Sequence, residues 1–481
     1  MMRYEPVIGL EIHVQLATET KLFCGNSAEF GAEPNTHVCP VCLGLPGALP
    51  VLNRRAVELG VRAALGLNCT VHEISVFARK NYFYPDLPKG YQITQYDRPI
   101  ATGGWLDVAT ERGGEERRRV RIRRIHLEED AGKSLHDRLP GRTAVDLNRA
   151  GIPLIEIVTE PDLISPAHAR EFLTRLKQVL EYLRVSDCDM EKGSLRVDAN
   201  VSVRPAGSPH LGIKTEVKNM NSFANVERAL AYEIERQIGV LEAGGSIRQE
   251  TLLWDAGRGE ARPMRSKEES HDYRYFPEPD LPPLVLERAE VEAIRRDLPE
   301  LPDARFRRFR EAYGLPAYDA EVLTATREVA DYFEATARAV GDAKAASNWI
   351  MTDVLGWLNQ RQCAIEDLPI TPESLAALIG LVADGTLSMP LARRVFARMA
   401  ETGRPPEAIV EEEGLAQVRE VDRLVGWVEE VVSAHPEEVA RYREGDRKLL
   451  GFFMGQIMKK SGGKADPRET SRILRERLEA G

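Results

Sequence analysis

A chain of 481 residues exceeds what one hydrophobic core usually encloses, so about three domains are expected at a typical ~150 residues each. Hydrophobic residues make up 43 % and charged residues 29 %, and no run of ~18 apolar residues occurs, which excludes a membrane-spanning helix. With 65 basic against 75 acidic side chains the formal charge is -10, which excludes a general attraction to nucleic acid or anionic lipid and leaves only local basic surfaces for such partners.

The opening residues lead into an alternating segment instead of an apolar leader, so a cytoplasmic chain is expected. In the first strand, Val7 to Leu16, Ile8, Leu10, Ile12 and Val14 share one face while Glu11, His13 and Gln15 share the other. Glu11 and His13, two positions apart, lie ~6.5–7 Å from each other, close enough to share one metal ion; a solvated polar edge is the plainer alternative. Cys39-Pro40-Val41-Cys42 has the form of a metal-binding knuckle, and Cys24 lies fifteen residues before it. The other cysteines, Cys69, Cys188 and Cys363, stand alone, so no disulfide framework is expected.

Helical spacing follows at Arg54 to Leu67, and up to about Val203 the rest is mostly period two. Arg117 to Arg124 holds six arginines in eight residues, a solvated face or a phosphate-binding one. It runs into Ile125-His126-Leu127-Glu128-Glu129-Asp130, where alternation projects Glu129 opposite to Glu128 and Asp130. Gly132-Lys133-Ser134 resembles the end of a phosphate loop, but the glycine needed five places earlier is Leu127. No Gly-x-Gly-x-x-Gly opens a helix, so a nucleotide site must belong to another class of fold.

Phe172, Leu176, Leu180 and Leu183 mark a helix over Pro166 to Leu183. Ser194 to Val203 then alternates throughout, with Arg196, Asp198, Asn200 and Ser202 on its polar face. Ile213 to Lys218 repeats the device with Lys214, Glu216 and Lys218; cations for phosphate beside hard oxygens for magnesium make a metal-phosphate site as plausible as a solvated face. Ser222 is a plausible N-cap for a helix that stops near Gly244-Gly245.

The run Phe276 to Pro283 is too proline-dense for a regular element and Leu298-Pro299-Glu300-Leu301-Pro302 repeats the signal, so a domain boundary is expected over this stretch; from Asp303 onward Ala, Leu, Glu and Arg at helical spacing predict a bundle. Gly403-Arg404-Pro405-Pro406 interrupts it. The expected architecture is therefore α+β: a sheet-rich domain over 1–294, a helical domain over 295–406 and a small helical tail over 407–481.

Several long motifs in order, among them Val7 to His13, Arg79-Lys80-Asn81-Tyr82-Phe83-Tyr84-Pro85-Asp86, His126 to Lys133, Asp146 to Glu156, Arg274 to Asp280 and Gly455 to Lys459, resemble the GatB family end to end. That resemblance implies the B component of a tRNA-dependent aspartyl/glutamyl amidotransferase. ATP would phosphorylate the side-chain carboxylate of Asp or Glu misacylated on tRNA, and ammonia would displace the phosphate, because a free carboxylate is a poor electrophile. The partners implied are an amidase subunit that supplies ammonia from glutamine and a small third subunit, together making a heterotrimer, then the misacylated tRNA and a non-discriminating aminoacyl-tRNA synthetase. No membrane partner is expected.

Carried onto this chain, Glu11, His13 and Glu129 resemble ligands of Mg2+, and Lys80 a residue of the reaction pocket. Arg196, Asp198 and Lys214 are inferred from strand faces as ATP-phosphate and metal contacts. Many members carry Cys-x-Cys before Cys-x-x-Cys, but here Asn26 stands in the place of the fourth thiolate. Zn2+ on Cys24, Cys39 and Cys42 would therefore need its fourth ligand from His37 or a more distant group, and packing alone is the expected support. The resemblance assigns tRNA contact to the tail, where Lys448, Lys459, Lys460 and Lys464 flank the apolar run Leu449 to Met458. The rival reading is a non-catalytic tRNA-binding scaffold, which has no need of converging acids and histidine.

Overall fold

A computed structural model of the chain describes residues 3–114, 116–264, 273–418 and 420–479. They form two compact units, one through Pro302 and one from Asp303 onward. The first is built on a nine-stranded sheet. Its strands run in the order Glu260–Pro263, Thr251–Asp255, Thr215–Lys218, Leu195–Pro205, Tyr4–Gln15, Pro153–Thr159, Arg117–Glu129, Ala101–Ala109 and Thr70–Val71.

The first strand of the chain is thus central, antiparallel to both neighbours. Its apolar residues Ile8, Leu10, Ile12 and Val14 are buried in one core with Phe172, Leu173, Leu176 and Leu180 of the Pro166–Tyr182 helix and with the Arg54–Gly66 and Phe223–Glu242 helices. Each large side chain buried in this way stabilises the fold by roughly 1.5–3 kcal/mol. The helix starts have local causes: Asn53, Ser165 and Ser222 accept hydrogen bonds from the first-turn N–H groups, and Pro166 sits where its missing N–H costs nothing. Helices cover one face, so the polar residues of the same strands are left on the other.

Two details set where those polar residues stand. Opposite His13 lie Glu156 on one side and Arg196 on the other, and Glu156 in turn faces His126. The Arg117–Glu129 strand changes phase at Arg123, since Val158 pairs with Arg124 but Thr159 with Ile122. This bulge lets Val120 and Ile122 before it, and Ile125 and Leu127 after it, all point into the core. The sheet also tolerates little at Gly104, where an added Cβ would lie 2.2 Å from Cys69 Sγ and 2.6 Å from the Leu67 carbonyl. Gly104→Ala should cost about 1–3 kcal/mol, read as a lower urea midpoint at unchanged slope; an unchanged midpoint would show that the 67–69 turn yields freely.

A three-stranded sheet, Phe276–Pro277, Phe77–Asn81 and Tyr91–Gln95, adjoins the end of the Arg117–Glu129 strand. Ile93 N–H donates to Glu129 at 2.9 Å, Thr94 Oγ1 to Glu128 at 3.2 Å, and Gln95 Oε1 accepts from Leu127 N–H at 3.0 Å. The 276–280 segment is clamped to it by Arg79, which donates two bonds to Glu278 at 2.7 and 2.8 Å and lies 4.1 Å from the Tyr91 ring centre. The first proline-dense run is therefore inside the first unit, since Phe276–Pro277 and Leu284–Val285 both pair with earlier strands at edge positions where proline needs no ladder donor, whereas the second, Leu298 to Pro302, stands at the unit's end.

The expected limit at 294 falls within the helix that closes this unit. Helix Arg288–Asp297 places Val291 and Ile294 against the first core, and Leu298 and Leu301 extend the contact, so the unit runs through Pro302. The second unit is helical and contains two cores, Phe309 to Leu415 and Leu424 to Leu478. The expected separate tail over 407–481 keeps its own core but belongs to the same compact unit as 303–406. Gln417 N–H donates to the Thr386 carbonyl at 2.8 Å, and Val418 pairs with Ala465.

Candidate functional site

On the uncovered face of the large sheet, strand register gathers two imidazoles and two carboxylates. His13 Nε2 lies 3.5 Å from Glu128 and 3.6 Å from Glu156; His126 Nε2 lies 3.1 Å from Glu156 and 3.7 Å from Glu128. One ligand atom each from His13, Glu128 and Glu156 falls within 4.8 Å of the others, the spacing of donors around one cation. Burial alone would strip charge from all four groups, but their mutual attraction outweighs it. His126 is raised to about 9, His13 is raised, and Glu128 and Glu156 are held below the usual carboxylate range, Glu156 well below it.

Charged neighbours surround this group. Arg196 donates to Asp130 at 2.9 Å, and Asp130 also receives Gln15 Nε2 at 3.0 Å. Lys80, on the Phe77–Asn81 strand, feels burial that would lower its pKa, but Glu128, Tyr275, Tyr273 and Glu156 raise it overall, so its ammonium stays charged beside the cluster. Glu11, two residues before His13, is raised by burial and by Glu156, Glu216 and Asp198, against one hydrogen bond from Asn200 at 3.0 Å. Burial is the largest cause, and the three neighbouring acids add to it. His126 Nδ1 and Arg196 Nε are buried without a hydrogen-bond partner, so the cluster retains polar capacity for something else.

Of the residues expected from the sequence, Glu11, His13, Arg196 and Asp198 share this face, and Lys80 reaches it from the small sheet. Glu129 does not. Its carboxylate accepts from Ile93 N–H and pairs with Lys89, on the side opposite to His13; the acid beside His13 is Glu128, as strand alternation requires. Lys214 precedes its strand and is exposed, whereas Lys218 donates to Asp198 at 2.8 Å and lies 3.1 Å from Glu216. Glu156 was not singled out from the sequence. Its signal is there, a lone acid inside Pro153-Leu154-Ile155-Glu156-Ile157-Val158, where only a paired or functional charge is tolerable. Hard carboxylate oxygens with one imidazole suit Mg2+ or Mn2+, so the donor set fits the divalent cation expected here, with Glu128 and Glu156 in place of Glu129.

The Cys24, Cys39 and Cys42 sulfurs fall within 4.8 Å of one another, with 3.8 Å between Cys39 and Cys42. Asn26 Nδ2 points its donor at Cys42 Sγ from 3.6 Å, and the Cys39 N–H does so from 3.0 Å. A bond from Cys24, together with that N–H and the Lys21 charge, holds Cys42 at about 4, while the same bond and burial push Cys24 up. Fully buried Lys21 donates to the His37 carbonyl at 2.6 Å. Three sulfurs with Asn26 in the place of a fourth leave this group one ligand short of the usual tetrahedral Zn2+ site.

In the second unit, Lys448 precedes helix Leu449–Lys460 and Lys459 and Lys460 end it, ~16 Å along the axis, while Phe453 and Ile457 anchor the opposite side. Lys448 and Lys459 are exposed, Lys460 pairs with Glu430, and Lys464 is half-buried. No helix among the described residues is long and apolar enough to cross a membrane.

Comparison with known proteins gives the class of the fold: residues 6–292 match the family model described as the GatB/GatE catalytic domain, and residues 331–478 the GatB domain. The chain is 55 % identical over 479 residues to the B component of the aspartyl/glutamyl-tRNA(Asn/Gln) amidotransferase of Moorella thermoacetica, covering 99 % of this chain and all of that one. The like-named proteins of a Thermoanaerobacter species and of Prosthecochloris aestuarii are 52 % and 53 % identical, each over 99 % or more of both chains. The chain belongs to the GatB/GatE family.

Proposed function

We propose that this chain is the ATP-dependent, amide-forming subunit of a tRNA-dependent amidotransferase, acting on Asp-tRNA(Asn), Glu-tRNA(Gln) or both. The observation that carries the reading is the His13, His126, Glu128 and Glu156 cluster with Lys80 beside it, a cation-holding group next to a fixed positive charge. In the first step an oxygen of the substrate side-chain carboxylate forms a bond to the γ-phosphorus of ATP, and the bond to ADP breaks. In the second, ammonia adds to the acyl carbon, phosphate leaves, and nitrogen gives up a proton to yield the amide.

His13, Glu128 and Glu156, with Glu11 behind them, would hold Mg2+, which when bound neutralises charge on the transferring phosphoryl group. Lys80 would stabilise charge that develops on the acyl phosphate, and Arg196 and Lys218 would orient ATP oxygens on the flank of the site. Asp198 fixes Lys218 and stays a candidate for a further metal oxygen, whereas exposed Lys214 offers at most a peripheral phosphate contact. Ammonia would come from an amidase partner, with a small third chain completing a cytoplasmic assembly that a non-discriminating synthetase could feed.

The test is ATP cleavage by the chain in its complex, with ammonium chloride as nitrogen source and aspartyl-tRNA, glutamyl-tRNA or their deacylated forms. Cleavage coupled to amide formation only with acylated tRNA is expected, and the productive arm names the substrate. Binding of tRNA without cleavage in any arm would leave a scaffold. For the tail, Lys448→Glu and Lys459→Glu should each weaken tRNA binding and lower the salt slope by about 1, with a smaller effect at paired Lys460 or half-buried Lys464; an unchanged slope in titrations at several KCl concentrations would move tRNA contact elsewhere.

A further inference from the structure

A row of tyrosines leads from the reacting groups to solvent. Lys80 Nζ stands 4.8 Å from the centre of the Tyr273 ring and 5.8 Å from that of Tyr82. Tyr273 meets Tyr275 edge to face at 5.9 Å, and Tyr275 lies flat against Tyr96 at 4.0 Å with 5° between the planes. The other rings of the row, Tyr82 with Tyr273 and Tyr84 with Tyr82, cross at 74° and 67°. Only the outermost pair is parallel, and Tyr96, its outer member, is 44 % exposed.

Two features distinguish this pair from an ordinary surface aromatic. It is assembled from segments far apart in sequence, because the Arg79 clamp on Glu278 holds the Tyr273–Tyr275 stretch against the strand that carries Lys80 and the neighbouring strand that Tyr96 directly follows. It also presents a flat ring, backed by a second ring, at the edge of a site rich in cations and carboxylates. A flat π-surface beside phosphate-binding charge suits a nucleobase, whose stacking on tyrosine is tolerant of sequence, better than it suits an apolar side chain.

We propose that the Tyr96–Tyr275 pair is the stacking platform for an adenine base of a substrate. The inference rests on the reading of the site given above, and there both reactants bring an adenine, one in ATP and one as the 3′-terminal nucleoside of tRNA. The platform takes one of them, with Lys80 and the cluster inward of it.

The test uses the full-length chain in its complex and measures binding without turnover. 1,N6-etheno-ATP and a tRNA ending in 2-aminopurine are titrated separately, each in the absence of the other substrate. One probe should be quenched on binding, and Tyr96→Ala should weaken its affinity about 5- to 100-fold and abolish the quench, with Tyr96→Phe restoring both. The probe that responds names the source of the base. If both probes bind wild type and Tyr96→Ala with equal affinity and equal quench, or if neither is quenched by the wild type, the platform is refuted. Because nothing turns over in this assay, quenching by a complex that fails to cleave ATP with acylated tRNA would overturn the reaction and leave the platform standing.

Discussion

Glu156→Gln is expected to lower acyl-tRNA-dependent ATP cleavage by about 10²–10³-fold, with the fold retained. The substitution keeps the shape and an acceptor for His126 but removes one of the two negative charges that hold His13 and His126 in their protonated-prone state. It also leaves the cation with a single carboxylate from this cluster. In stability the expected cost is about 1–3 kcal/mol, because Glu156 is buried and both imidazoles keep Glu128 nearby. The matched control is Glu129→Gln, one residue past Glu128 but turned to Ile93 and Lys89; it should lower the melting temperature more than it lowers the rate. Single-turnover cleavage at saturating magnesium, with a thermal melt on each variant, reads both. A Glu156→Gln enzyme of wild-type rate would remove the cluster from the chemistry.

Lys80→Ala carries the second large effect. Amide formation should fall by about 10²–10³-fold in kcat, since one fixed charge near a developing anion is worth that much in a water-poor site. Its contacts with Tyr273 and Tyr82 contribute only about 0.5–2 kcal/mol, so the protein should remain folded. With ammonium chloride as nitrogen source, loss of kcat at unchanged KM for tRNA supports a role on the reacting atoms. A change confined to KM would make Lys80 a binding residue instead.

Strand alternation made one face of the site legible. Glu11 with His13, and Arg196 with Asp198, stand together because the period of two is kept through both strands. The same rule distinguishes Glu128 from Glu129, and only the resemblance pointed to the latter. Register is another matter. Lys214 and Lys218 obey the same alternation, and only the pairing of Asn200 with Glu216 decides that Lys218 meets Asp198. The Tyr273–Tyr275 stretch reaches Lys80 through a two-residue strand pairing across nearly two hundred residues of chain, which no local pattern encodes. Three helices of the first unit were readable to within about two residues because caps and apolar spacing are local, whereas Arg288–Asp297, which follows the proline-dense run, was not read. Proline density reports an absent donor, not an absent contact, which is why Phe276 to Pro283 pairs with earlier strands while Leu298 to Pro302 stands at the end of the unit.

The central position of the Tyr4–Gln15 strand has a consequence for synthesis. It leaves the ribosome well before its neighbours, Pro153–Thr159 and Leu195–Pro205. At ~5–20 residues per second it waits roughly 10–40 s before both partners exist, with Ile8, Leu10, Ile12 and Val14 lacking their final cover. A nascent chain of this kind depends on holding that strand in reserve, so slowed translation before residue 205 should raise aggregation more than slowed translation after it.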